Sequence, residues 1–229
     1  PTISFAGWTR VEVSFVDQDL SAGAGRGYHF ETDDNYLTWS ARGTADNGMT
    51  YTASSSMEFR AAGTAGVDEA KISLTNPWGT VVMGDDDGAD DSMMVGGFSL
   101  MTAGFGYDGG YTATVNRGGV GFTGVFASLV GDTGDATKVS YFTPRWNGLQ
   151  LGVSWTPDSG HDFDAGIIAE ADNDGDIENA LGLGMNYNNT IGDVGVRFGI
   201  THGRASDDVA QAGAAAAGAP REDVRTWSM

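Results

Sequence analysis

Apolar and polar residues alternate along several short stretches of this chain. A period of two places successive side chains on opposite faces of a β-strand. The clearest stretch, Met49 to Arg60, carries on one face Met49, Tyr51, Ala53, Met57 and Phe59. The same pattern predicts strands at Ile3–Phe15, Tyr36–Arg42, Glu69–Leu74, Lys138–Phe142, Leu149–Thr156, Leu181–Tyr187 and Val194–Ile200. A short strand carries Val81 and Met83, and another begins at Val224.

The predicted connections between these strands alternate in length. Short turns are expected at Asp46–Gly48, Asn76–Gly79, Pro144–Gly148 and Asn188–Asp193. Longer loops are expected at Asp17–Asp34, after Arg60, at Asp85–Asp135, at Pro157–Asp176 and at Ala205–Glu222. An up-and-down antiparallel barrel has tight turns at one rim and loops at the other. The pattern therefore predicts an all-β, transmembrane antiparallel barrel.

The stretch Asp85–Asp135 is far longer than the other connections, and a loop of that size in a compact domain is usually functional. We expect it to fold into the barrel and to narrow the channel. It opens with the acidic residues Asp85, Asp86, Asp87, Asp90 and Asp91, whose carboxylates we expect at the constriction. An alternative is a further strand pair at Tyr111–Val115 and Val120–Ser128, which would preserve the alternation of the connections.

Composition narrows the class of protein. The chain of 229 residues has 12 basic and 31 acidic residues, a net charge of −19, which argues against nucleic acid as a partner. It has 36 glycines, which suit tight turns and closely spaced strands, and no cysteine. Aromatic residues near both predicted rims match the two interfacial belts of a membrane barrel. A soluble β-sandwich is the alternative, but it does not predict these belts.

The chain resembles a general porin of Gram-negative bacteria, of the alphaproteobacterial type. The resemblance covers essentially the whole chain and is carried by Ile3–Arg10, Arg42–Tyr51, Asp68–Lys71, Trp78–Asp85 and Lys138–Arg145. It implies a single sixteen-stranded barrel domain, a homotrimer, an inward-folded third loop, and contact with outer-membrane lipid and lipopolysaccharide. The proline-glutamate-phenylalanine-glycine signature of some enteric eyelets and a terminal aromatic strand are both absent.

The strand count also bears on the extent of the domain. We count about nine complete strands plus a fragment, and bacterial barrels close with an even number. We therefore expect residues 1–229 to be a porin barrel domain that is incomplete at the C-terminus, with 85–135 as the constriction loop inside it.

Basic residues identify the face that lines the lumen. On the lipid face each would cost about 2–4 kcal/mol near the bilayer centre. The expected wall patch consists of Arg10, Arg42, Arg60 and Lys71, and Lys138 and Arg197 also fall on polar faces. Opposed to the acidic loop, the patch would create a transverse field of the kind that selects ions. In the alternative, these cations pair with Glu12, Glu58 and Glu69.

Metal binding and catalysis receive weaker support from the sequence. The spacing of Asp172, Asp174 and Asp176 resembles a calcium loop, but Leu181 stands where the closing glutamate is required. The hypothesis is a weak structural Ca²⁺ site, and the alternative is a solvated acidic loop. The histidines do not have metal-ligand spacing, and no other cofactor is expected. We do not expect an enzyme.

The function predicted from the sequence is passive diffusion of small hydrophilic solutes and ions across the outer membrane of a Gram-negative bacterium. The alternative is an extracellular β-domain, or a closed barrel displaying loops, that acts in binding or adhesion.

Overall fold

The computed structural model describes residues 1–15, 28–59, 65–95, 133–160, 177–207 and 222–228. Over these ranges, ten strands form one antiparallel sheet in which spatial order follows chain order. The strands are β1 (Thr2–Phe15), β2 (Tyr28–Thr44), β3 (Thr50–Phe59), β4 (Ala65–Asn76), β5 (Gly79–Asp85), β6 (Thr137–Phe142), β7 (Leu149–Asp158), β8 (Ile177–Ile191), β9 (Val194–Asp207) and β10 (Glu222–Ser228). A single short helix, α1 (Ala89–Ser92), follows β5 in this part of the chain. The predicted all-β, up-and-down architecture is confirmed.

The short turns of one rim are built by local hydrogen bonds and by residues that tolerate a positive φ. Asn47 accepts a bond from the Met49 N–H at 3.1 Å, and Gly48 has a φ of 83°. In the next turn, Asn76 accepts a bond from the Trp78 N–H at 3.0 Å. Asparagine side chains bond their own backbone two residues on, and glycine adopts a positive φ without a steric penalty. Both predicted turns are therefore confirmed.

Several strands are longer than predicted, and β2 and β8 show the reason. Strand β2 begins at Tyr28, although Asp17–Asp34 is predicted as a loop, because Tyr28–Asp33 pairs with Arg10–Phe15 beyond a register shift. Strand β8 continues to Ile191, although Asn188 is predicted to open a turn, because Asn189 pairs with Val196. Backbone pairing to a neighbouring strand overrides the low strand propensity of Asp and Asn.

The predicted alternation of connection lengths has one exception. Residues 60–64, between β3 and β4, are as few as residues 45–49, between β2 and β3. Pairing of Met57–Phe59 with Ala65–Val67 beyond a register shift lengthens both strands. The proposed pair Tyr111–Val115 and Val120–Ser128 lies outside the described residues, as does Arg60.

The two faces of the sheet differ in chemistry. One face exposes large apolar side chains, among them Phe5, Ile72, Leu151, Trp155, Leu183 and Phe198. The other carries Ser, Thr and Gly, for example at the bonded pair Ser4 and Ser40, whose hydroxyl oxygens are 2.8 Å apart. We call these the apolar face and the polar face. Within the described ranges, no helix is long or apolar enough to span a membrane.

Candidate pore constriction

The segment that follows β5 folds onto the polar face of distant strands. Its first turn, α1, contacts β7, β8 and β9. The Ala89 N–H donates to the Ser154 hydroxyl at 2.9 Å, and the Asn186 amide donates to the Met93 carbonyl at 3.5 Å. Met93 is 2% exposed, so its side chain is fully buried between the segment and the wall. The expected inward fold is therefore present over residues 86–95.

Glycines on the polar face make room for this segment. A Cβ on Gly184 would lie 2.5 Å from the Ala89 carbonyl oxygen and 2.7 Å from the Met93 sulfur. A Cβ on Gly199 would lie 3.1 Å from the Met93 carbonyl oxygen. The glycine seat, as we call this surface, consists of Gly152, Gly182, Gly184 and Gly199. At Gly184 the added Cβ would meet a backbone oxygen below 3.0 Å, so the fit there depends on glycine.

The far end of the same connection is attached as well. The hydroxyls of Thr133 and Thr156 are 3.3 Å apart, which ties the returning chain to β7. The Lys138 ammonium donates to the Gly134 carbonyl at 2.6 Å and also to the Asp86 carbonyl. Lys138 is 2% exposed, so it is a buried cation that joins both ends of the connection.

The predicted acidic residues do not form one row facing the lumen. Asp85 is buried and accepts a bond from the Thr137 hydroxyl at 2.5 Å. Its register partners are Ala70 on β4 and Thr137 on β6. Asp86 forms a salt bridge with Lys71 at 2.6 Å. Asp90 approaches the wall, where its carboxylate would contact a Cβ built on Gly182.

Asp87 and Asp91 belong to a carboxylate cluster at the loop rim. This rim cluster consists of Asp68, Glu69, Asp86, Asp87, Asp91 and Asp135. Burial, followed by the neighbouring Asp91 carboxylate, raises the pKa of Asp87 to about 7. Burial, followed by the charge of Asp87, also raises the pKa of Asp135 to about 7, although Lys138 opposes this shift.

The basic residues of the expected wall patch lie at different heights. Lys71 bonds Asp86 and also Glu69, at 2.7 Å, so it belongs to the loop base. Arg42 of β2 pairs with Thr2, near the start of β1. Arg10 lies further along β1 and pairs with Asp33 of β2. Eight residues of strand separate Thr2 from Arg10, about 26 Å at ~3.3 Å per residue. The structure therefore brings Lys71 to the acidic loop and leaves Arg42 and Arg10 apart.

Sequence reasoning missed two parts of this site. On β8, the seat glycines Gly182 and Gly184 alternate with leucines. Repeated small residues on a polar face are a signal that another segment approaches closely. Asp135 and Asp68 join the rim cluster through the pairing of distant strands, for which the sequence carries no local signal. The calcium hypothesis for Asp172, Asp174 and Asp176 lies outside the described residues. In the remaining part of the chain, no three acidic or histidine side chains are arranged to hold a metal ion.

An up-and-down sheet with an exposed apolar face, and with a segment folded over its polar face, is the architecture of a porin-type membrane channel. A family model described as Gram-negative porin matches residues 2–224. The chain therefore belongs to the Gram-negative porin family and is an outer-membrane β-barrel protein. No curated protein and no solved structure is significantly similar to it.

Proposed function

We propose that this porin is a passive diffusion channel for small hydrophilic solutes and ions, narrowed by the segment that begins at Asp86. The observation that carries the proposal is the attachment of residues 86–95 to the polar face through the glycine seat. A segment held against the polar face at residues 86–95 reduces the width of the lumen at that point. Diffusion down a gradient needs no cofactor and no catalysed reaction.

The charge balance supports a preference for cations. The rim cluster contains six carboxyl groups, and Lys71 and Lys138 are two cations of the described part of the chain that contact it. The chain as a whole has a net charge of −19. Charged groups that line a constriction select ions of the opposite sign.

Conductance across a planar lipid bilayer tests this function. The detergent-purified protein is added under a KCl gradient, and we expect stepwise, ohmic current increases. The reversal potential should have the sign of a channel that favours K⁺. Verified folded protein that gives no conductance would refute the diffusion channel and favour the binding or adhesion class.

The resemblance to general porins of the alphaproteobacterial type extends the proposal to a homotrimer in contact with lipopolysaccharide. Light scattering of the protein–detergent particle, corrected for bound detergent, measures the number of chains. A mass corresponding to one chain would contradict the trimer and would leave the conductance test unaffected.

A further inference from the structure

Two aromatic rings lie together on the polar face, away from the glycine seat. Trp8 pairs with Tyr36 across β1 and β2, and the bonded pair Ser4 and Ser40 lies on the same face. The two rings are stacked, with centroids 5.3 Å apart and planes inclined at 22°. Trp8 is 50% exposed. An indole that is half exposed beside serine and threonine presents an apolar surface to the lumen.

Charged groups of both signs flank these rings. The Arg10 guanidinium lies 5.7 Å from the centroid of the Trp8 ring, within the range of a cation–π contact. Glu58 pairs with Tyr36 on the opposite side, from β3, and alternation places it on the polar face. Among the described side chains, Arg10 and Glu58 flank the rings with opposite charges, so that neither cationic nor anionic solutes are favoured. The surroundings suit a neutral ligand with many hydrogen-bonding groups.

We propose that Trp8 and Tyr36, flanked by Arg10 and Glu58, form a binding site for the pyranose ring of a neutral sugar on the pore wall. A pyranose ring has a C–H face that packs on the negative face of an aromatic ring. On Trp8 it would compete with the Arg10 guanidinium, because Tyr36 already stacks on the indole. Its hydroxyl groups reach outward to side chains that donate or accept hydrogen bonds. Ligand sites commonly combine aromatic surface with a few polar groups in this way.

The transport role of the site rests on the proposed function, because a sugar in transit meets Trp8 only if the polar face lines an open lumen. Such a site would make transport of sugars saturable, whereas a plain pore conducts solutes in proportion to their concentration. Binding at the wall must remain weak for the solute to leave again.

Ion current through single channels in KCl, titrated with maltotriose, tests the sugar site. We expect the native channel and Trp78→Ala to show a saturable current decrease. Trp78 is a matched control because it is 53% exposed and lies in the turn between β4 and β5. In Trp8→Ala the half-saturating concentration should rise about tenfold or more, which corresponds to about 1.4 kcal/mol. Each variant is compared with its own current without sugar.

Two further arms separate the possible outcomes. Trp8→Leu keeps apolar volume without a π-face and should behave as Trp8→Ala, which covers the case in which the alanine variant does not fold. Polyethylene glycol of similar hydrodynamic size should lower the current without saturation and equally in all variants. Maltotriose that acts like polyethylene glycol, or equally in native and Trp8 variants, would overturn the site.

Binding can also be measured without conduction. Maltotriose should change the tryptophan fluorescence of the folded native protein in detergent, and this change should be lost in Trp8→Leu. Loss of conductance together with an intact fluorescence titration would refute the diffusion channel and keep the sugar site. A fluorescence titration that is flat in the native protein would refute the site whatever the conductance.

Discussion

Two aspartates of the rim cluster, Asp87 and Asp135, make the stability of the folded protein depend on pH. The pKa values of Asp87 and Asp135 are both raised to about 7 by burial and by neighbouring carboxylates. A raised pKa means that the folded state holds these protons between about pH 4 and about pH 7, where the unfolded chain has released them. Their stabilising contribution is complete below that window and is lost as the pH rises through about 7.

Ion selectivity should follow the charge of the same two groups. We expect K⁺ preference to be stronger at about pH 8.5 than at about pH 5.5, because both carboxyls are ionised only above their raised pKa. The reversal potential under a KCl gradient measures this. In the double variant Asp87→Asn, Asp135→Asn, the change between the two pH values should shrink to less than half.

A carboxylate on the opposite rim provides the control for this experiment. Asp193 is exposed in the turn between β8 and β9, so Asp193→Asn should keep the native pH dependence. An unchanged pH dependence in the double variant would show that other groups set the selectivity.

The contact between α1 and strands β7–β9 requires the backbone of α1 to lie directly against the backbone of the strands, as at Ala89 and Gly184. Replacing Gly184 by Ala adds a Cβ 2.5 Å from the Ala89 carbonyl oxygen, so the segment must move off the wall. Overpacking costs about 1–3 kcal/mol, and we therefore expect Met93 to become exposed about fivefold more often, or more. The rate of Met93 oxidation by hydrogen peroxide, followed by mass spectrometry of its peptide, measures that exposure.

Gly195→Ala is the matched control for the seat. Gly195 lies on the same face of β9 as Gly199, and a Cβ there meets nothing within 4 Å. In Gly195→Ala, Met93 should be oxidised at the same rate as in the native protein. Equal rates in Gly184→Ala and Gly195→Ala would mean that the seat does not hold the segment.

The period-two pattern predicted most strands because each strand of this sheet has one apolar and one polar face. It missed several strand ends, among them Tyr28–Asp33 and Asn188–Ile191, where pairing with β1 and β9 extends the strands. The length of the connection after β5 predicted that it folds inward. The place where it attaches could not be predicted, because the seat glycines have no side chains that would identify the segment packed on them. The link between Asp87 and Asp135 arises from strand register, which no local pattern encodes.

At the scale of the whole molecule, the two faces of the sheet meet different surroundings. In the outer membrane, the apolar face contacts lipid and the polar face contacts the solvated interior. Neighbouring residues of one strand therefore lie in different media. Ile72 and Ser73 of β4 show this directly: Ile72 pairs with Ala53 and Met83, while Ser73 pairs with Thr52 and Val82.

An arginine scan of this pair measures the difference between the two media. Ile72→Arg places a cation on the lipid face, where it costs about 2–4 kcal/mol near the bilayer centre. Ser73→Arg places the same group on the polar face, where we expect a loss of about 1 kcal/mol or less. Reversible urea unfolding of the protein in lipid vesicles gives both values. Equal losses would mean that Ile72 does not face lipid, and the assignment of the apolar face to the membrane would then fail.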